Sequence, residues 1–424
     1  MITGGATRGR PRARLAVVAT TTLPVSLADV EAARELLRGV VRTTPVEGSR
    51  VLSERVGGPV HLKCENLQRA GSFKIRGAYT RIARLSEEER ARGVVAASAG
   101  NHAQGVALAA SLLGTKATVF MPTGAPIVKE KATRAYGADV RFEGRTVDEG
   151  LVAAKEFAAR TGAVLIHPFD HVDIVAGQGT AGLEVLEQCP DVRTVLVCTG
   201  GGGLLAGMAV AIKSLRPGVR VVGVQAEGAA AYPPSLRAGH PVPLEAMSTM
   251  ADGIAVGCPG EVPFALVREL VDDVVVVSEE SISQALLLLL ERAKQVVEPA
   301  GGAGVAALLD HPTSYEPPVV AVLSGGNIDP LLLLRVIRHG MAAAGRYLSV
   351  RVRIPDHPGA LANLLAELAA ADANVLDVVH ERTGVRLGID EVEVGLQVET
   401  RGHEHCERVI GRLREAGYRV DHPR

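Results

Sequence analysis

The apolar segments of residues 26–340 are short continuous runs, and this constrains the fold more than any other feature of the sequence. Two examples are GVVAAS (93–98) and TVLVC (194–198). A strand that is apolar along its whole length must be covered on both faces, as in parallel sheets with helices on each side. Because alanine- and leucine-rich stretches with helical spacing separate these runs, the sequence predicts an α/β fold with doubly wound parallel sheets.

The pattern changes after residue 345. The segment LSVRVRI (348–354) alternates strictly between apolar and polar residues, and EVEVGLQVE (391–399) alternates again. Alternation of this kind is typical of half-buried antiparallel strands. With two amphipathic helices and two further strands, the predicted order is β-α-β-β-α-β. Residues 346–424 are therefore expected to form a small α+β ferredoxin-like domain.

Charge and composition exclude several classes of function. The formal net charge is −1 and the body of the chain has no basic block, so nucleic acid is not an expected partner. The longest aliphatic block, ALLLLLERA (285–293), is too short to span a membrane. The five cysteines are widely spaced without a CxxC motif, which favours free thiols in a reducing compartment, the cytoplasm.

The first 25 residues are predicted to be a disordered N-terminal extension. Basic residues precede an apolar stretch there, so a cleaved targeting peptide is the alternative. The apolar stretch is short and is interrupted by three threonines, which favours the extension.

Four consecutive glycines (200–203) follow the TVLVC strand and precede a predicted helix. Glycine N–H groups at a helix N-terminus form a good binding site for a phosphate. The same turn contains G-x-G-x-x-A at Gly201, Gly203 and Ala206, and Glu227 ends the next predicted strand, near the acidic position that holds a ribose in dinucleotide-binding proteins. An NAD-dependent oxidoreductase is therefore one alternative.

Three further segments carry polar groups that a dinucleotide site does not explain. Lys74 lies among apolar and small residues in AGSFKIRGA (70–78). Asn101 and Ser324 each follow a predicted strand, in SAGNHAQG and LSGGNID. Ligands bind open α/β sheets at the carboxyl ends of the strands. An amine, a phosphate site, an amide and a hydroxyl together fit pyridoxal phosphate, which has an aldehyde, a phosphate and a polar aromatic ring.

These segments closely resemble those of fold-type II pyridoxal-phosphate enzymes, and among them the threonine dehydratases (threonine ammonia-lyases). ENLQRAGSFKIRGA resembles the family's lysine signature, SAGNHAQG its asparagine loop, GGGGL its phosphate loop and SGGN its pyridine-contact segment. The resemblance covers residues 26–340. It implies two doubly wound parallel-sheet subdomains, with the smaller one, about residues 70–170, inserted in the larger.

The resemblance also implies a role for each matching residue. Lys74 would form the Schiff base with the cofactor and would then remove the α-proton of the substrate, provided that burial keeps part of its amine neutral. Phe73 would pack beside the cofactor, Asn101 would bond the ring hydroxyl and Ser324 would meet the pyridine nitrogen. The phosphate would be held by the N–H groups of Gly200, Gly201, Gly202, Gly203 and Leu204, and the substrate carboxylate by Ser98, Ala99, Gly100, Asn101 and His102.

The implied reaction is the α,β-elimination of L-threonine to 2-oxobutanoate and ammonia, with L-serine giving pyruvate. A serine dehydratase or racemase on the same scaffold is an alternative, although Ala99 stands where serine racemases carry a second serine. A metal is not expected, because only Glu227 and Ala231 match the metal-binding pattern of those relatives and position 233 is proline. A non-catalytic amino-acid sensor is a further alternative.

The segment IPDHPGALANLL (354–365) resembles the first strand-to-helix turn of an ACT domain. Asp356, Pro358 and Gly359 would then lie at an amino-acid effector site, with isoleucine or valine as candidate effectors. A plain dimerisation module is the alternative. The family implies a homodimer or homotetramer with paired ACT domains.

Overall fold

The computed structural model describes residues 23–382 and 387–422. These ranges contain fourteen β-strands, in chain order β1 (Val46–Gly48), β2 (Val60–Lys63), β3 (Val94–Ala97), β4 (Ala117–Met121), β5 (Asp139–Phe142), β6 (Val164–Leu165), β7 (Thr194–Cys198), β8 (Arg220–Ala226), β9 (Asp273–Val277), β10 (Val319–Val322), β11 (Tyr347–Pro355), β12 (Asn374–Glu381), β13 (Glu391–Glu399) and β14 (Arg419–Asp421).

The same ranges contain sixteen α-helices. In chain order they are α1 (Leu27–Leu36), α2 (Arg50–Val56), α3 (Lys74–Ala83), α4 (Glu87–Arg92), α5 (Asn101–Leu112), α6 (Ile127–Ala135), α7 (Val147–Thr161), α8 (Val172–Gln188), α9 (Gly203–Leu215), α10 (Tyr232–Ala238), α11 (Glu261–Leu270), α12 (Glu279–Leu288), α13 (Pro299–Asp310), α14 (Pro330–Ala343), α15 (Ala360–Ala370) and α16 (His403–Glu415). Short 3₁₀ turns link several of them, and a π-helical turn (Leu289–Ala293) extends α12.

Two of the three sheets are parallel, as the continuous apolar runs predict. The larger has the order β1-β2-β10-β7-β8-β9 and is parallel except for β1. The smaller has the order β5-β4-β3-β6 and is parallel throughout. Every residue of β3, β7 and β10 is buried, since helices cover both faces of these strands. The predicted α/β class is therefore confirmed.

The two parallel-sheet bodies meet at α3, which packs against both α5 and α8. Arg76 on α3 is fully buried and donates to the carboxylates of Glu65 at 2.8 Å and Glu184 at 2.7 Å. Lys63 pairs with the same Glu184 at 2.5 Å. This buried ion network ties α3 to the end of β2 and to α8, and so fixes the helix that carries Lys74.

The C-terminal body has the predicted β-α-β-β-α-β order, from β11 to β14. Its antiparallel sheet has the strand order β12-β13-β11-β14. Along β11, Val350 and Val352 are buried whereas Ser349 and Arg351 are exposed, because α15 and α16 cover only one face of the sheet. The predicted α+β ferredoxin-like class of this region is confirmed.

The predicted N-terminal extension (1–25) lies outside the described residues except for its last three. Val25 is 1% exposed within the core of the larger sheet, so residues 23–25 belong to the folded body. Within residues 23–382 and 387–422, no helix combines the length and the apolar character that crossing a bilayer requires.

Candidate active site

Lys74 is the first residue of α3, and the residues before it fix its position. Ser72 is extended and forms an isolated bridge with Gly325, and the N–H of Phe73 donates to the carbonyl of Ser324 at 3.1 Å. The chain turns into the helix only after these contacts, so Lys74 is held beside the segment that follows β10. The buried ring of Phe73 has its centroid 5.2 Å from Nζ of Lys74.

The surrounding protein partly shields Lys74 from water. Nζ donates to the carbonyl oxygen of Pro168 at 2.8 Å. Helix α5 packs so closely on the other side that a Cβ added to Gly105 would lie 3.1 Å from Cβ of Lys74. Burial lowers the pKa of Lys74 to about 8, against smaller opposing effects of Cys198 and Glu298. A large share of this amine is therefore neutral near pH 8, as a general base requires.

The side-chain amide of Asn101 is oriented by two partners. Its Nδ2 donates to Oε1 of Glu298 at 2.5 Å, and its Oδ1 accepts from Nδ2 of Asn327 at 2.8 Å. An amide nitrogen carries two N–H groups, so one remains for a further acceptor. Burial, with Asp252 as a smaller contributor, raises the pKa of Glu298 to about 7.

The carboxyl ends of β7 and β10 lie side by side, because these strands are parallel neighbours with Leu196 beside Ala321. Cys198 is the last residue of β7, and Ser324 follows β10. The Sγ atom of Cys198 lies 3.0 Å from Oγ of Ser324, and both residues are buried. The register of the larger sheet thus brings Ser324 to the strand that leads into the glycine loop.

The glycine loop leads directly into α9. Within residues 23–382, none of the N–H groups from Gly200 to Leu204 donates to a protein acceptor. Gly202 has φ +97°, a left-handed conformation that favours glycine. A Cβ on Gly201 would overlap the ring of Phe169, and one on Gly202 would overlap the hydroxyl of Tyr232. The loop therefore offers unpaired backbone donors at a helix N-terminus, and glycine is required to form it.

The segment from Ser98 to His102 runs from the end of β3 into the first turn of α5. The N–H of Gly100 donates to Oγ of Ser98 at 3.1 Å, and Ala99 and Gly100 are partly exposed. The buried ring of His102 donates through Nε2 to the carbonyl of Ile166 at 2.8 Å. Burial lowers the pKa of His102 to about 3, so its ring is neutral. The ring thus bonds to Ile166, and the N–H groups of Ala99, Asn101 and His102 have no acceptor among the described residues.

A cavity of about 280 Å³ opens beside the Asn101 network. Glu298 and Asn327 line it. Lys129 and Asp252 also line it and form an ion pair with 2.6 Å between Nζ and Oδ2. Glu298 and Asn327 are the two residues that orient the Asn101 amide, whereas Lys74 and the glycine loop do not line this cavity.

Glu298 and Phe169 are among the residues of this site that the sequence predictions do not include. Glu298 had a usable signal, because a single acidic residue precedes the apolar segment PAGGAGVAALL. Phe169 had none, since its contact with the glycine loop depends on the packing of the two bodies.

Glu227 and Ala231, the two residues that match the metal-binding pattern, follow β8 in the chain. Glu227 is exposed after β8, and Ala231 is buried with its carbonyl accepting from the hydroxyl of Ser235 at 2.7 Å. Among the described residues, no three His, Cys, Asp or Glu side chains come together in a group that could hold a metal.

The predicted effector residues Asp356, Pro358 and Gly359 are exposed in the turn between β11 and α15. Asp356 accepts from Nε of Arg382 at 3.2 Å, so this turn presents paired charges to solvent.

Comparison with known proteins gives a consistent result. Residues 37–325 match the family model described as "Pyridoxal-phosphate dependent enzyme". The L-threonine ammonia-lyase of Thermotoga maritima is 48% identical over 396 residues, which cover 93% of this chain and 99% of the relative. A threonine deaminase from Solanum lycopersicum has a TM-score of 0.71 and 39% identity over 74% of this chain and 92% of its own. Maize serine racemase has a TM-score of 0.70 and 36% identity over 73% of this chain and 96% of its own. The chain therefore belongs to the family of pyridoxal-phosphate dependent enzymes.

Proposed function

We propose that the chain is an L-threonine ammonia-lyase, which converts L-threonine to 2-oxobutanoate and ammonia and also accepts L-serine. The observation that carries this proposal is the amine of Lys74, which is partly shielded from water, with α5, Pro168 and the segment after β10 around the residue. The 48% identity to a threonine ammonia-lyase over 93% of the chain supports the choice of reaction.

The residues fit pyridoxal phosphate. The N–H groups from Gly200 to Leu204 are unpaired within the described residues, and at the start of α9 they suit a phosphate. The second N–H of Asn101 is available for the ring hydroxyl, and Ser324 is assigned to the ring nitrogen. When bound, the cofactor supplies an electron sink next to the α-carbon of an amino acid.

Lys74 is assigned two tasks, the covalent link to the cofactor and the removal of the α-proton. Both need a neutral amine, and burial lowers the pKa of Lys74 to about 8. Phe73 packs beside the amine and limits the approach of water. The segment Ser98–His102, at the N-terminus of α5, is assigned to the substrate carboxylate.

Elimination is favoured over racemisation by Ala99. Racemisation requires an acid or base on the face opposite Lys74, and the methyl group of Ala99 supplies neither. The protein is therefore expected to form 2-oxo acids from L-threonine and L-serine and no D-serine.

The experiment combines a covalent label with product analysis. Purified protein should be yellow, and borohydride reduction followed by peptide mass analysis should place the cofactor on Lys74. Lys74→Ala should lose the label and 2-oxo acid formation, whereas Lys155→Ala, at an exposed lysine of α7, should keep both. A colourless protein, a label elsewhere, or wild-type protein with no turnover of either substrate would refute the proposal.

The C-terminal body is proposed to be an ACT domain (346–424) that binds an amino-acid effector at Asp356, Pro358 and Gly359. The exposed turn and its Arg382–Asp356 pair offer charged groups to an amino acid. Isoleucine or valine should change the activity of the wild type and not that of Asp356→Ala. Equal responses of the two proteins would leave the domain as a dimerisation module.

We also propose a homodimer or homotetramer in the cytoplasm, with residues 26–340 as the catalytic part. Strand β12 is an edge strand of its sheet and exposes Leu376, Val378 and Val379, which suits pairing between copies. The five cysteines are free, as a reducing compartment requires. Analytical ultracentrifugation of the full chain tests the oligomeric state, and a monomer at micromolar concentration would contradict it.

A further inference from the structure

Cys198, to which the proposed reaction gives no task, forms a buried pair with Ser324. Cys198 is 4% exposed and Ser324 is 2% exposed, and their Sγ and Oγ atoms are 3.0 Å apart. The contact joins the ends of two neighbouring strands, β7 and β10, and the glycine loop follows β7 in the chain. A cysteine that only filled space would not need a polar partner.

The direction of this hydrogen bond follows from the chemistry of the two groups. The oxygen of a hydroxyl is a better hydrogen-bond acceptor than the sulfur of a thiol. The thiol of Cys198 is therefore the donor and the hydroxyl oxygen of Ser324 the acceptor. Burial raises the pKa of Cys198 to about 11, which keeps the proton on sulfur at neutral pH. Ser324 then uses one lone pair to accept from Cys198, and its single O–H is free to donate elsewhere.

We propose that Cys198 is a positioning residue, which directs the Ser324 hydroxyl proton towards the ring nitrogen of the cofactor. The inference depends on the role proposed above for Ser324. An acceptor that is itself hydrogen-bonded becomes a better donor, because chains of hydrogen bonds polarise one another. Cys198 thereby favours a neutral, hydrogen-bonded ring nitrogen over a protonated one.

Three substitutions separate this role from packing. Cys198→Ser keeps a donor at the position, whereas Cys198→Ala removes it and Cys198→Val removes it while filling the space. Cys64→Ala is the matched control. Cys64 is also fully buried at the end of a strand of the larger sheet, but its Sγ donates to the backbone carbonyl of Leu62 at 3.4 Å.

Each protein is measured for the visible absorption band of the bound cofactor, for cofactor affinity and for stability in urea. Cys198→Ala and Cys198→Val should shift the band and weaken cofactor binding by about 3- to 10-fold, the range of one hydrogen bond. Cys198→Ser should restore both values towards wild type. Cys64→Ala should leave both unchanged.

Two outcomes overturn the inference while leaving the proposed function intact. One is a wild-type spectrum and affinity in both Cys198→Ala and Cys198→Val. The other is a Cys198→Ser protein that behaves like Cys198→Ala. A wild-type protein that takes up no cofactor, or carries it on a residue other than Lys74, overturns the proposed function and this inference together.

Discussion

The amide nitrogen of Asn101 lies 2.5 Å from Oε1 of Glu298, and this contact joins α5 of the smaller sheet to the start of α13. Glu298 also acts at a distance on Lys74, because its negative charge opposes the lowering of the lysine's pKa. One carboxylate thus orients the predicted cofactor contact and tunes the predicted base.

Replacement of Glu298 by glutamine should lower the pH at which Lys74 becomes reactive. Glutamine keeps an acceptor for Asn101 but removes the charge that raises the pKa of Lys74. In wild-type apoprotein the rate of cofactor loading should rise with pH through about 8, where the amine loses its proton. In Glu298→Gln the same rise should occur at lower pH. Glu280→Gln, at an exposed position of α12, is the control and should not move the profile.

The same variant has a signature in stability. The pKa of Glu298 is about 7 in the fold and 4.5 in the reference state, so its contribution to folding is fully present below pH 4.5 and is lost as pH rises through 7. The free energy of unfolding of Glu298→Gln should therefore increase relative to that of the wild type as the pH rises from 4.5 to 8. A constant difference across this range, or an unmoved loading profile, would contradict the assignment.

The polar groups of the site could be predicted from the sequence because each lies next to a local signal. Lys74, Asn101 and Ser324 stand in glycine-containing segments at or near strand ends, and the carboxyl ends of parallel strands meet at one edge of a sheet. The contacts among them depend on sheet order and helix packing. That β7 and β10 are neighbours in the sheet, which places Cys198 against Ser324, cannot be predicted from the sequence of either strand.

The burial of charged side chains could not be predicted from the sequence either. Arg76 lies in the same segment as Lys74 and looks like a solvated residue of a helix, yet it is fully buried against Glu65 and Glu184. His102 belongs to the loop predicted to bind the substrate carboxylate, and its ring bonds to the carbonyl of Ile166, a partner that the sequence does not indicate. Such orientations are decided by the three-dimensional partners of a side chain.

Alanine at position 202 should weaken cofactor binding. Its Cβ would overlap the hydroxyl of Tyr232, and the φ of +97° is unfavourable for a residue with a side chain. A loss of about tenfold or more in affinity is expected if the loop holds the phosphate, since strain of this kind amounts to 1–2 kcal/mol or more. Titration of apoprotein with cofactor measures this. Gly218→Ala, where an added Cβ meets nothing within 4 Å, should bind like the wild type. Unchanged affinity in Gly202→Ala would count against the loop.

Methionine at position 76 should destabilise the whole catalytic part. Arg76→Met leaves Glu65 and part of Glu184 without their buried partner, and breaking a buried pair in this way costs about 3–5 kcal/mol. Urea denaturation of the full chain measures the effect. The control is Arg50→Met, whose partner Glu54 and own side chain are both largely exposed, so a change within about 0.5 kcal/mol is expected. Similar values for the two variants would show that the buried network contributes no more than a surface pair.

The ion pair between Lys129 and Asp252, which line the cavity, leads to a prediction about substrate affinity. Lys129 is 6% exposed, pairs with Asp252, and has its Nζ 3.8 Å from the place where a Cβ on Gly100 would stand. Its charge is thus close to the loop assigned to the substrate carboxylate and is little screened by water. Lys129→Met should raise KM for L-threonine by about 3- to 10-fold with little change in kcat, as expected when binding is lost equally from ground and transition states.

Lys213→Met breaks a comparable 2.6 Å pair with Asp272, away from the residues that line the cavity, and should keep the wild-type KM. Steady-state kinetics at several salt concentrations distinguish the two variants, because only the Lys129 effect should coincide with a loss of salt dependence in KM. An equal rise of KM in both variants, or a fall in kcat alone for Lys129→Met, would contradict a role of this charge in substrate binding.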